Sequence, residues 1–160
     1  MVTIARFAPN KRHDLLLAAM SIVRETVPEV ELVLKGEVFY ETSYVEAVRD
    51  DINKRGLSDI VKIIPFVDDI RDLHAAADVV VLCSDREGLG RCVVEAMAMG
   101  TPVVVTDSGG THEVVNHRKT GFVVRGGDAR DLATRIVEAL TARIGVVRSP
   151  ERRVTLLRSI

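Results

Sequence analysis

Two carboxylates eight positions apart, Glu87 and Glu95, flank the glycines of the stretch D-R-E-G-L-G-R-C-V-V-E over residues 85–95. Gly88 and Gly90 open a helix expected over residues 91–99. The first N–H groups of a helix have no partner within it, and they attract anions and polar ligands. Glu95 interrupts the otherwise apolar run 92–99, which reads as a buried helix. A carboxylate there is costly unless something hydrogen-bonds or pairs with it. One reading has Glu95 accepting hydrogen bonds from ligand hydroxyls while Glu87 holds another part of the same ligand. The other has Glu95 paired with Arg91 one turn earlier and facing water, in the weaker order for such a pair.

Two cations near the start of the chain suit the same ligand. Arg6 offers a fork of donors and Lys11 a point charge, the combination expected for a phosphate or diphosphate. The alternatives are a rim salt bridge for Arg6 and a solvated turn for Lys11.

Hydrophobic periodicity supplies the elements that would bring these groups together. Residues 1–7, 31–35, 60–64, 79–83, 102–106 and 121–124 read as strands. Helices are expected over 13–26, from Ser43 to about Arg55 behind the capping box S-Y-V-E, from Asp68 or Asp69 through Ala77, over 91–99, over 111–115, and from Asp128 to about Leu140. Alternating strands and helices predict an α/β domain, a Rossmann-like doubly wound parallel sheet of six strands. In such sheets ligands sit beyond the carboxyl ends of the strands. Arg6, Asn10 and Lys11 follow the first strand there, Gly36 and Glu37 the second, residues 84–87 the fourth and residues 106–110 the fifth. Residues 1–140 are expected to form this domain, and the arginine-rich residues 141–160 a basic appendage.

Composition removes several function classes. The chain has 160 residues, 47% hydrophobic and 28% charged, with a formal net charge of −1. That is a globular balance, with no global field for nucleic acid or anionic membrane. No run is long and apolar enough to span a bilayer, and the N-terminus reads as a strand, not a leader. Cys83 and Cys92 sit in apolar surroundings, which argues for packing roles in a reduced, cytoplasmic compartment. No histidine or further cysteine stands at metal-ligand spacing from them. Tryptophan is absent and aromatics are 4%, too few for a stacking platform on single-stranded nucleic acid. His13 and His117 read as surface, His74 as packing or rim, and His112 as near enough to the Gly109-Gly110 turn to approach a ligand. None has a nucleophile beside it in the sequence. A dinucleotide dehydrogenase is disfavoured because no G-x-G-x-x-G follows the first strand.

Four segments carry a family resemblance: A-R-F-A-P-N-K-R-H-D, A-A-A-D-V-V-V-L-C-S, E-G-L-G-R-C-V-V-E-A-M-A-M-G-T-P-V-V-V-T-D-S-G-G-T-H-E-V-V, and T-G-F-V-V. In this order and spacing, the run from Val2 to about Leu140 resembles the C-terminal, donor-binding half of GT-B-fold retaining glycosyltransferases of group 1, relatives of glycogen and sucrose synthases. The resemblance implies that Glu95 binds the ribose hydroxyls of a nucleotide-sugar donor and that Glu87 contacts the transferred sugar near the reacting carbon. It implies backbone contacts to sugar and phosphates from Gly88, Leu89 and Gly90. Arg6 and Lys11 would hold the donor diphosphate, and Phe66 and Val67 would meet the base through their backbone. No metal or other cofactor is implied. The family normally has glycine where Ala5 stands.

The resemblance also implies an N-terminal acceptor domain, which would precede Val2, and a C-terminal helix crossing back to it, which residues 141–160 do not display. The chain is therefore expected to bind donor weakly and to transfer sugar poorly or not at all by itself. That domain, in cis or in trans, is the expected partner, and membrane contact would come only from it. The competing readings are a non-catalytic nucleotide-binding module and a half-domain of another nucleotide-sugar enzyme such as an epimerase.

Overall fold

The computed structural model describes residues 1–36, 42–64 and 69–141. Six strands, β1 (Val2–Ile4), β2 (Leu32–Lys35), β3 (Val61–Ile64), β4 (Val80–Leu82), β5 (Val103–Thr106) and β6 (Phe122–Val124), form one sheet in the order β3-β2-β1-β4-β5-β6. Every pair is parallel. Among the described residues, α1 (His13–Thr26), α2 (Thr42–Lys54), α3 (Ile70–Ala76), α4 (Arg91–Ala98) and α5 (Thr111–Val114) lie between successive strands, and α6 (Ala129–Thr141) follows β6. This is the doubly wound α/β layout expected from the pattern.

The strands are buried on both faces, so successive side chains feed two cores. Val79, Val81 and Cys83 join Leu16, Met20, Ile52, Leu132 and Ile136 beneath α1, α2 and α6. Val80 and Leu82 join Val2, Val33, Leu73, Val93, Ala96 and Val105 beneath α3 and α4. The strand order reverses between β1 and β4. The loops leaving these two neighbours run to opposite faces and open a crevice at the carboxyl edge.

Several local expectations shift. β1 ends at Ile4: Ala5 N–H still donates to Lys35 O, and the chain then leaves the sheet, so Arg6 stands in the loop. α2 begins at Thr42, one residue before the Ser43 expected to open it. Asp69 is the cap of α3, accepting from Arg71 N–H, and Asp128 Oδ1 accepts from Arg130 and Asp131 N–H at the start of α6. α4 is not buried all round. Val93 and Ala96 face the core, while Val94 and Met99 are 37% and 39% exposed, so one apolar face meets solvent. His13 is buried, not on the surface. The ring stacks on Phe7 at 4.9 Å and meets Tyr44 edge-on, because Arg12 in the left-handed region turns the chain into α1 and carries His13 inward. Residues 142–160, including the basic appendage, lie outside the described residues.

Candidate functional site

Loops after β1 and β4 form the walls of a cleft of about 340 Å³ at the strand reversal. Its lining includes Arg6, Lys11, Lys35, Glu87, Gly90, Arg91 and Glu95. A volume of this order suits a small polar ligand.

Three contacts fasten the two loops. Asp85 N–H donates to Asn10 O at 3.0 Å. Arg12 donates to the carboxylates of Asp14 and Asp85, which hold its pKa above the ordinary value. Lys11 Nζ reaches Glu87 Oε2 at 2.5 Å, and Ser84 Oγ donates to the same oxygen at 3.1 Å. Both Lys11 and Glu87 are largely withdrawn from solvent, so their charges are screened less than those of a surface pair.

The Glu87 loop is supported from behind by the turn after β5. Gly110 N–H donates to the carbonyls of Glu87 and Gly88. A Cβ on Gly109 would lie 1.8 Å from Glu87 O, and one on Gly110 2.1 Å from Gly88 O. Only glycines admit this approach. Thr106 completes the frame, its hydroxyl accepting from Ser84 N–H at 2.8 Å and donating to Ser84 O at 2.9 Å.

Gly90, just before α4, has a φ of +64° that turns the loop into the helix without a side-chain cap. Gly90, Arg91 and Cys92 at this end all line the cleft. Val93 N–H donates to Gly90 O at 2.8 Å, which leaves the N–H groups of Arg91 and Cys92 at the electropositive end. Burial pushes the Cys92 thiol up to about 11 and that of Cys83 up to about 12, so both stay protonated near neutrality.

Glu95 lies one turn further along α4, its side chain 43% exposed. Its cost of burial is therefore smaller than a fully enclosed helix would impose. It does not pair with Arg91; its nearest charged or ionisable neighbour within ion-pair range is His74, with Nε2 3.7 Å from Glu95 Oε2. Arg6 is exposed on the rim and makes no ion pair among the described residues. Gly88 and Leu89 stand outside the cleft lining, Leu89 being 59% exposed. Phe66 and Val67 lie outside the described residues. His112 is exposed beside Asp107, away from the cleft. Among the described residues no group of three His, Cys, Asp or Glu side chains could hold a metal ion, and no helix is long and apolar enough to cross a membrane.

Residues 84–87 were placed at this edge from the sequence, but Arg12, His74 and Lys35 were missed as parts or supports of the site. Lys35 carried a signal: a lysine ending an otherwise apolar strand, at an edge where ligands bind.

Residues 1–153 match the family described as Glycosyl transferases group 1. The chain belongs to this family. Among similar curated proteins, the GDP-mannose-dependent alpha-(1-6)-phosphatidylinositol monomannoside mannosyltransferase of Mycobacterium tuberculosis is 35% identical over 152 residues, 89% of this chain and 38% of that protein. The putative glycosyltransferase EpsD of Bacillus subtilis is 36% identical over 79% of this chain and 32% of its own length. Among solved structures, HepE of Anabaena in complex with UDP and glucose superposes with a TM-score of 0.79 at 34% identity, covering 89% of this chain and 39% of that one. This group 1 chain thus spans about a third of the length of these relatives, the size of a C-terminal domain.

Proposed function

We propose that this group 1 chain is the donor-binding domain of a retaining glycosyltransferase, holding a nucleoside-diphosphate sugar in the cleft between the β1 and β4 loops. The observation that carries this reading is the convergence of Arg6, Lys11, Glu87 and Glu95, distant in sequence, on one cleft beyond the carboxyl ends of parallel strands. The presence of UDP and UDP-glucose in the HepE structures supports it.

The chemistry follows from where charge develops. As the sugar leaves the nucleoside diphosphate, negative charge grows on the departing phosphate. Arg6, Lys11 and the N-terminal N–H groups of α4 stabilise that charge more in the transition state than in the ground state. These donors supply the neutralisation without a metal ion. Glu95 accepts from the vicinal ribose hydroxyls. Glu87 accepts from hydroxyls of the transferred sugar, its orientation held by Ser84. Efficient transfer needs a second wall to orient the acceptor and exclude water, so the chain alone binds donor weakly and turns over poorly. The complete enzyme works in the cytoplasm, with any membrane contact made by the acceptor half.

Calorimetric titration of the chain with UDP, GDP and ADP tests the proposal, repeated on Glu95→Ala. Selective binding of one nucleotide, weakened by the substitution, is expected. Absence of binding for all three, or binding indifferent to Glu95, contradicts it.

A further inference from the structure

His74 is 1% exposed, on α3, with its ring toward Glu95 of α4. Neither ring nitrogen has a hydrogen-bond partner among the described residues. A buried polar group left unsatisfied is costly, and such groups in a native fold call for a reason. Plain packing does not need an imidazole here, because an apolar ring fills the same space without two orphaned nitrogens.

The geometry supplies the reason. Nε2 points toward Glu95 Oε2 at 3.7 Å, just beyond hydrogen-bond range. The two backbones are tied together by one residue: Thr101 Oγ1 donates to His74 O at 2.7 Å, and Thr101 N–H donates to Ala96 O at 2.8 Å. His74 is thereby fixed, while the Glu95 side chain, partly in solvent, is free to move. A rotation of Glu95 by about an ångström closes the gap. Ile70, one turn before His74, lines the same cleft as Glu95, so this contact lies directly behind the ligand wall.

We infer that His74 is a positioning residue: its Nε2–H donates to Glu95 Oε2 and locks the carboxylate in the orientation that receives the two ribose hydroxyls. The inference rests on the donor-site reading above. In the ligand-free chain the carboxylate exchanges between water and His74. With a ribose diol bound, one oxygen takes the diol and the other takes Nε2–H, so the Nε2 contact is held in the complex. Burial keeps the ring neutral near pH 7, lowering its pKa against the opposing charge of Glu95. The neutral Nε2–H tautomer is a donor in that state.

The test compares UDP with 2′,3′-dideoxy-UDP on the wild-type chain, His74→Phe, His74→Gln, Glu95→Ala and the double variant His74→Phe/Glu95→Ala, with thermal unfolding as a check on folding. His74→Phe keeps a ring and removes the donor; His74→Gln restores a donor near the Nε2 position. Loss of a hydrogen bond to a charged acceptor predicts about a tenfold weaker UDP affinity for His74→Phe. The dideoxy nucleotide should be unaffected, His74→Gln should recover most of the loss, and His74→Phe should cost nothing once Glu95 is alanine. A loss in His74→Phe that is equal for both nucleotides, or that persists in the Glu95→Ala background, overturns the positioning role while leaving the donor site standing. UDP affinity unchanged by Glu95→Ala overturns the donor-site reading and this inference with it. A readout without nucleotide separates the two: the His74 side-chain 15N resonances should move on Glu95→Gln, and their failure to move overturns the inference alone.

Discussion

Lys11 Nζ and Glu87 Oε2 sit 2.5 Å apart, joining the loop after β1 to the loop after β4 across the strand reversal. The cation proposed for the diphosphate here neutralises the carboxylate proposed for the sugar. Ligand entry has to divide this pair between two parts of one molecule. The arrangement places both groups in the cleft lining, within reach of adjacent groups of a sugar diphosphate.

Lys11→Met removes the cation and leaves Glu87 Oε2 with Ser84 Oγ. The loss of a charge-assisted phosphate contact should weaken UDP binding by about ten- to a hundredfold. Uridine, which has no phosphate, should bind the variant as it binds the parent chain. Calorimetry with the two ligands checks this, and an equal loss for both would mean that Lys11 acts through loop structure.

Thr106→Val replaces a hydroxyl that serves both backbone groups of Ser84. The shape is kept, but a buried N–H and a buried carbonyl lose their partner. The expected destabilisation is about 2–3 kcal/mol in urea unfolding. A change below about 0.5 kcal/mol would show that the frame behind Glu87 does not depend on this hydroxyl.

Gly109→Ala places a methyl at a φ of +58° and against Glu87 O. The Glu87 loop must give way. The melting temperature should fall, with about 2 kcal/mol or more lost, and UDP affinity should fall with it. Gly126→Ala is the comparison, since a Cβ there meets nothing within 4 Å, and it should be close to neutral. Equal effects from the two would refute the crowding argument.

The buried His13 gives a pH signature. Burial, opposed by Asp14 and assisted by Lys11, pushes its pKa from 6.5 down to about 4. Between these values the unfolded chain binds a proton that the folded chain refuses. Stability from this group is therefore complete above pH 6.5, is lost as pH falls toward 4, and changes no further below that. The total is roughly 3 kcal/mol. His74, also lowered by burial, adds to the same limb. His13→Phe preserves the stack on Phe7 and should flatten the slope of unfolding free energy in this interval; an unchanged slope would rule His13 out as its source.

How far the sequence revealed all this depends on the range of each interaction. Period-two and helical patterns are local, so α1 is read correctly over His13–Thr26 and all six strands are placed within a few residues. The stretch around Glu87 and Glu95 stands out because glycines and carboxylates are conspicuous in an apolar context. α4 was misread as enclosed because composition does not say whether an apolar face is covered: Val94 and Met99 look outward here. His13 was misread because its neighbours in sequence, Lys11, Arg12 and Asp14, are polar, whereas its neighbours in space are Phe7 and Tyr44. Arg12–Asp85 and His74–Glu95 join residues on different elements, and nothing in the local sequence marks one partner for the other.

The central claim is that Arg6, Lys11, Glu87 and Glu95 grip one nucleoside-diphosphate sugar. A crystal structure of the chain soaked with UDP tests it most directly. The account predicts phosphates between Arg6, Lys11 and the start of α4, with the ribose hydroxyls on Glu95. UDP bound elsewhere on the chain, with this cleft open and the Lys11–Glu87 pair undisturbed, would contradict it.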